Sequence, residues 1–211
     1  MGVARTGLSK ASGILFLVPL LQVAAWPKFL LPSPDLYLAD YLSRVVVIGA
    51  ALAAGVLALP GPRREWSWLK VVLAAPVFLA LLLALSGVQQ VLPAPWPWLR
   101  QNLYPYIESI DFWLFDLTVG LALVAVAEEI AFRRVFLGVW QANGWRWMTL
   151  ASCGAFGLLH APQGLYAVVG TAMAGWLLMI AYRTSGTLWV PIALHYVTNL
   201  LVFSGAFEGP A

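Results

Sequence analysis

The sequence predicts an all-α membrane protein, a polytopic helical bundle with about seven transmembrane helices. Three observations predict it. Of 211 residues, 62% are apolar and only 10% charged, where a soluble domain of this length would carry roughly 25% charged residues. Mean hydropathy is +0.84. Long apolar runs recur without alternating strand patterning, which leaves helices as the spanning element. This composition excludes a disordered chain, a disulfide scaffold and an ordinary cytosolic enzyme. The net charge is +3 and no Lys/Arg cluster exceeds two adjacent residues, so nucleic acid is not an expected partner. The one cysteine, Cys153, lies in an apolar run and reads as a small buried helix residue. It has no partner for a disulfide or a CxxC motif. One membrane domain without an appended soluble domain is expected.

The spans follow in order. The first, 11–26, is preceded by Arg5 and Lys10. It ends in Val23-Ala24-Ala25, which also has the look of a signal-peptide cleavage site; a retained helix is the reading taken. The second, 42–59, starts with Arg44, placed to snorkel. The third, 71–92, is hydrophobic nearly all round. The fourth, 112–140, is long and carries Asp116, Glu128, Glu129, Arg133 and Arg134. The last three are 145–161, 164–182 and 187–205. Between the third and fourth, Pro93 to Asp111 holds Trp96, Trp98, Tyr104 and Tyr106 among prolines, the composition of an interfacial aromatic belt.

With a cytoplasmic N-terminus, the inner segments carry Arg5, Lys10, Arg63, Arg64, Lys70, Arg133, Arg134, Arg146 and Arg183. The outer ones carry Lys28, Arg44 and Arg100. Nine against three follows the positive-inside rule and puts the C-terminus outside.

An ionisable side chain near the bilayer centre costs roughly 2.5–3.5 kcal/mol on insertion scales. The residues that incur this cost are the candidates for function: Glu128, Glu129, Arg133, His160 and His195, with the polar Asn199. The two histidines are the only ones in the chain, and both are expected inside apolar helices. Glu129 and Arg133 are four apart and can pair on one helix face. Glu128 is turned about 100° away and is free of that pair. Phe156 and His160 share a face, as do His195 and Asn199. At 1.5 Å per residue, Glu128 and Asn199 lie about 18 Å from the inner ends of their spans, His160 about 22 Å and His195 about 12 Å. Three helices thus bring a carboxylate, two imidazoles and an amide to similar depth, past the midplane toward the outer face. A carboxylate in such a low-dielectric site moves toward the range useful to a general base, and nearby Arg133 can help keep it ionised. Imidazole and amide N–H groups suit a developing oxyanion.

Glu128-Glu129-Ile130-Ala131-Phe132-Arg133 resembles the EExxxR motif of the CPBP family, the CAAX-protease and bacteriocin-processing intramembrane proteases, also called Abi. Phe156-Gly157-Leu158-Leu159-His160 is similar to its FxxxH motif, and His195-Tyr196-Val197-Thr198-Asn199 to its HxxxN motif. All three occur in the family's order on separate predicted helices. The resemblance covers about 112–205. It divides the chain into 1–111, N-terminal transmembrane helices and an outer interfacial loop, and 112–211, a CPBP-like catalytic membrane core of four helices.

The resemblance implies a glutamic-type intramembrane endopeptidase acting on a membrane-anchored or lipidated protein. Carried over, Glu128 and His160 activate water, His195 and Asn199 stabilise the oxyanion, and Glu129 and Arg133 hold the constellation. Phe156 reads as packing. The candidate substrates are a prenylated CAAX tail, a peptide leader or a C-terminal sorting anchor, and the estimated depth favours the last. Small size and composition suggest an integral protein of a bacterial cytoplasmic membrane. Two His and a Glu are also a zinc ligand set, but HExxH is absent; the metal-free scheme, with no cofactor, is the reading taken. Two other classes compete. A non-enzymatic immunity or partner-binding protein of the same fold would use the motifs structurally. A proton-coupled transporter would need discontinuous helices or a repeat, and neither is legible.

Overall fold

A computed structural model describes residues 19–59, 61–100, 104–140 and 145–204. Arg5, Lys10 and the first half of the first expected span lie outside them; its second half holds a helical end, α1 (19–24). All regular structure among the described residues is helical. After a 3₁₀ turn at Trp26–Leu30 come α2 (Asp35–Ala53) and α3 (Trp68–Val91). The next helix, α4, is continuous and composite. Segments Ile110–Phe115, Leu121–Glu129 and Val135–Trp140 are joined by π-helical turns at Asp116–Gly120 and Ile130–Arg134. It is followed by α5 (Trp145–Leu159), α6 (Leu165–Ser185) and α7 (Trp189–Phe203).

Among the described residues, four helices are long and apolar enough to cross a bilayer: Asp35–Ala53, Trp68–Val91, Ile110–Leu137 and Leu165–Ser185. Two of the expected spans, α5 and α7, are 15 residues each. Each is about 22 Å long, short of a hydrocarbon core of about 30 Å. The outer surface is that of a membrane protein. Leu69, Val72, Leu73, Val77 and Leu81 on α3 all face outward, whereas a soluble fold would bury such a stripe.

Helix α4 is the centre of the bundle. Its buried Ala127, Ile130, Ala131, Phe132 and Val135 pack with Val47 and Ala51 of α2 and Phe156 and Leu159 of α5. α3 closes on α6 and α7 through Leu82, Leu178, Ala181 and Leu194. At one end of the bundle, the Tyr37 hydroxyl donates to Pro105 O at 2.5 Å and Trp26 Nε1 donates to Leu159 O at 3.1 Å. Tyr104 also packs there, edge-on against Phe29. Trp96, Trp98 and Tyr106 stay exposed, so three of the four belt aromatics face outward and Tyr104 does not. At the opposite end, the Arg134 guanidinium gathers the carbonyls of Val56, Leu57 and Leu59 and the Tyr182 hydroxyl.

The second span differs from expectation. The helix begins at Asp35, seven residues before the expected 42. Arg44 is expected at the start of the span, placed to snorkel. Asp40 and Arg44 are instead buried inside the bundle, with Lys28 beside them. Arg44 therefore does not snorkel. It faces inward, where acids offset its charge.

Candidate active site

The polar residues of α4 face the bundle interior. Glu128, Glu129 and Arg133 are 1%, 0% and 0% exposed. They lie at the junction of an α segment and the π turn Ile130–Arg134. Such π bulges concentrate at functional sites. Glu129 pairs with Arg133 across one turn, Nε to Oε2 at 3.0 Å. Arg133 also reaches Ser152 Oγ of α5 at 3.4 Å and lies over the Phe156 ring at 4.7 Å. The Ser152 hydroxyl donates in turn to Phe132 O.

Glu128 points elsewhere. Its Oε1 lies 2.8 Å from Arg44 Nη1. Its Oε2 is buried without a hydrogen bond and stands 3.8 Å from His195 Nε2. The other ring nitrogen of His195, Nδ1, is 3.0 Å from Glu129 Oε1. A carboxylate oxygen accepts, so His195 donates from Nδ1 and turns Nε2 toward Glu128. The expectation that Arg133 neutralises Glu128 is therefore corrected: Arg133 serves Glu129, and the cation on Glu128 comes from α2.

His160 is not inside an apolar helix. α5 ends at Leu159, and His160 opens the short 3₁₀ turn Ala161–Gln163. The helix stops there because Pro162 removes an N–H donor and Gly164, at φ +95°, turns the chain away. His160 Nδ1 lies 2.9 Å from Phe156 O. A carbonyl only accepts, so the proton is on Nδ1 and Nε2 is left as an acceptor.

Phe156 does more than fill space. Its ring meets His160 edge-on at 5.1 Å and His195 at 6.1 Å between centroids, with the Arg133 guanidinium over its face. Gly175 of α6 permits this, because a Cβ there would stand 2.9 Å from the Phe156 ring. Asn199, one turn beyond His195 on α7, is half-buried and makes no side-chain hydrogen bond among the described residues. The structure thus gathers Glu128, Glu129, Arg133, Phe156, His160 and His195 from α4, α5, the turn that follows α5, and α7.

Sequence reasoning missed the contribution of the N-terminal part. Arg44 Nη1 donates to Gln22 Oε1 at 2.6 Å, its Nε lies 3.2 Å from Asp40 Oδ1, and Lys28 Nζ pairs with Asp40. The legible signal was two acids and two bases between 28 and 44 with no loop long enough to solvate them all. Three cations (Lys28, Arg44, Arg133) face three carboxylates (Asp40, Glu128, Glu129), so the buried cluster balances. Among the described residues, no three His, Cys, Asp or Glu side chains converge as metal ligands would.

Residues 110–201 match the family model described as Type II CAAX prenyl endopeptidase Rce1-like. The chain carries an Rce1-like domain. The domain spans α4 to α7, and its limits contain all three motifs that carry the CPBP resemblance. The family is one of CAAX-type intramembrane proteases, and the match over those residues supports a protease kind of chain set in a membrane helical bundle. No curated protein and no solved structure matches the chain.

Proposed function

We propose that the chain is a glutamic-type intramembrane endopeptidase. It would hydrolyse a peptide bond in a membrane-anchored or lipidated protein with water activated by Glu128 and His160. One observation carries this reading: a buried carboxylate has one oxygen held by a guanidinium and the other, Oε2, free of hydrogen bonds beside His195. A water that donates one O–H to Oε2 and the other to the acceptor Nε2 of His160 gives one proton to Glu128 as its oxygen attacks the substrate carbonyl. The carbonyl oxygen becomes an oxyanion. The Asn199 amide donates to it, as does His195 when Nε2 also carries a proton. Glu128 then passes that proton to the amine nitrogen as the C–N bond breaks and the oxyanion re-forms the carbonyl of the new carboxylic acid. Glu129 orients His195 through Nδ1, and Arg133 and Phe156 fix Glu129 and the two rings.

A shallow apolar groove of about 590 Å³ borders the His160 turn, lined by Val23, Ala24, Trp26, Pro27, Phe29, Leu30 and Pro162. It offers an apolar path for a substrate's membrane anchor toward the site. A C-terminal sorting tail is the substrate class favoured, in a bacterial cytoplasmic membrane with the N-terminus inside. Comparing intact masses of tail-anchored surface proteins in cells with and without the chain tests that class. A loss of mass equal to the tail supports it, and unchanged masses count against it.

Two further outcomes follow. Asn199→Ala is expected to lower kcat by about 100- to 1,000-fold, the usual effect of losing one oxyanion donor. The melting temperature should barely move, since the side chain holds no hydrogen bond in the free protein. Cleavage is also expected to survive 1,10-phenanthroline, because the proposed water is activated by side chains alone. Inhibition reversed by added zinc would contradict the metal-free scheme. Loss of His160 and His195 without loss of biological function would favour the partner-binding reading.

A further inference from the structure

The motifs of the Rce1-like domain supply a carboxylate but not its counter-ion. Arg133, the one arginine in those motifs, is engaged by Glu129, Ser152 and Phe156. The permanent cation touching Glu128 is Arg44, on α2 and outside residues 110–201. We propose that Arg44 is the positioning residue for Glu128. It anchors Oε1, keeps the carboxylate ionised, and so leaves Oε2 free to act as base. The proposal rests on the peptidase reading above.

The geometry supports it from both sides. Arg44 is itself fixed by three partners, with Nη1 on Gln22 and Glu128 and Nε on Asp40. Asp40 has a second cation in Lys28, so Arg44 has charge left over for Glu128. The charged and titratable groups that act on Glu128 are Arg44 and Asp40 from α2, Lys28 and Tyr104 beside α2, His195 from α7 and His160 just past the end of α5. Glu129 and Arg133 neutralise each other on its own helix. A buried carboxylate stripped of its cation takes up a proton rather than keep its charge. A protonated Glu128 cannot accept one from water.

The test is a set of pH–rate profiles for cleavage of one membrane-anchored peptide in vesicles by the wild-type chain, Arg44→Gln, Arg44→Lys and Glu128→Gln. Arg44→Gln is expected to lower kcat at pH 7 by about tenfold or more with little change in KM. Its acid limb should move up by about 1–3 pH units, the range for loss of an adjacent guanidinium, so that raising the pH restores activity. Arg44→Lys should recover most of the rate, since it returns the charge without the three-way geometry. A wild-type acid limb with only a reduced amplitude in Arg44→Gln marks a purely structural role and overturns the proposal. So does an Arg44→Lys variant as slow as Arg44→Gln. Glu128→Gln separates the two readings: normal cleavage by it defeats the peptidase reading itself. If Arg44→Gln does not accumulate in folded form, the double variant Arg44→Gln/Glu128→Gln decides. Recovery of folded protein supports the pairing, and no recovery contradicts it.

Discussion

Arg133→Met is expected to be among the most destabilising single changes in the protein, at about 3–5 kcal/mol, the usual cost of breaking a buried ion pair from one side. Arg133 is wholly buried, pairs with Glu129, reaches Ser152 and covers the Phe156 ring. Removing it leaves the Glu129 carboxylate uncompensated and both histidine rings without their shared support. Methionine keeps much of the volume, so the loss reports charge more than a cavity. Thermal unfolding in detergent should show a large fall for Arg133→Met, much of it restored in Arg133→Met/Glu129→Gln. An unchanged melting curve for the single variant would show that the pair holds nothing together.

Glu128→Gln is expected to have the largest effect on activity, a fall in kcat of about 100- to 10,000-fold, the contribution of a positioned general base. The substitution is nearly isosteric. The amide oxygen can still accept from Arg44, so the variant should remain folded. What it loses is the capacity to take a proton at the Oε2 position, where no hydrogen bond competes for it. Cleavage rates measured on variant and wild-type protein reconstituted at equal folded concentration check this.

The domain's polar residues were legible because their spacing is local. Glu129 and Arg133 stand one turn apart, and the 3.6-residue period alone turns Glu128 toward other helices. The bundle was legible from apolar runs, with α4 expected at 112–140 and found from Ile110 to Trp140. Arg44 was not legible in its role. Its partner Glu128 is 84 positions away, and in a sequence an arginine near the start of an apolar run looks the same whether it snorkels or turns inward. Asp40 and Lys28 disguised the start of α2 for the same reason: each looks unfavourable in lipid until its counter-charge is placed. The two π turns of α4 left no mark either, because they depend on how the helix packs rather than on which residues compose it. The end of α5 before His160 was half-visible in Pro162 and Gly164, which close a helix, but the apolar run continues past them.

The proposed activity is peptide hydrolysis at this buried centre. It is tested most directly by weighing the products formed when the purified wild-type chain, in lipid vesicles, meets three membrane-anchored peptides: a prenylated CAAX tail, a leader and a C-terminal sorting anchor. At least one is expected to be converted to two fragments whose masses together equal the substrate plus one water. All three recovered intact, with the protein folded throughout, would contradict it.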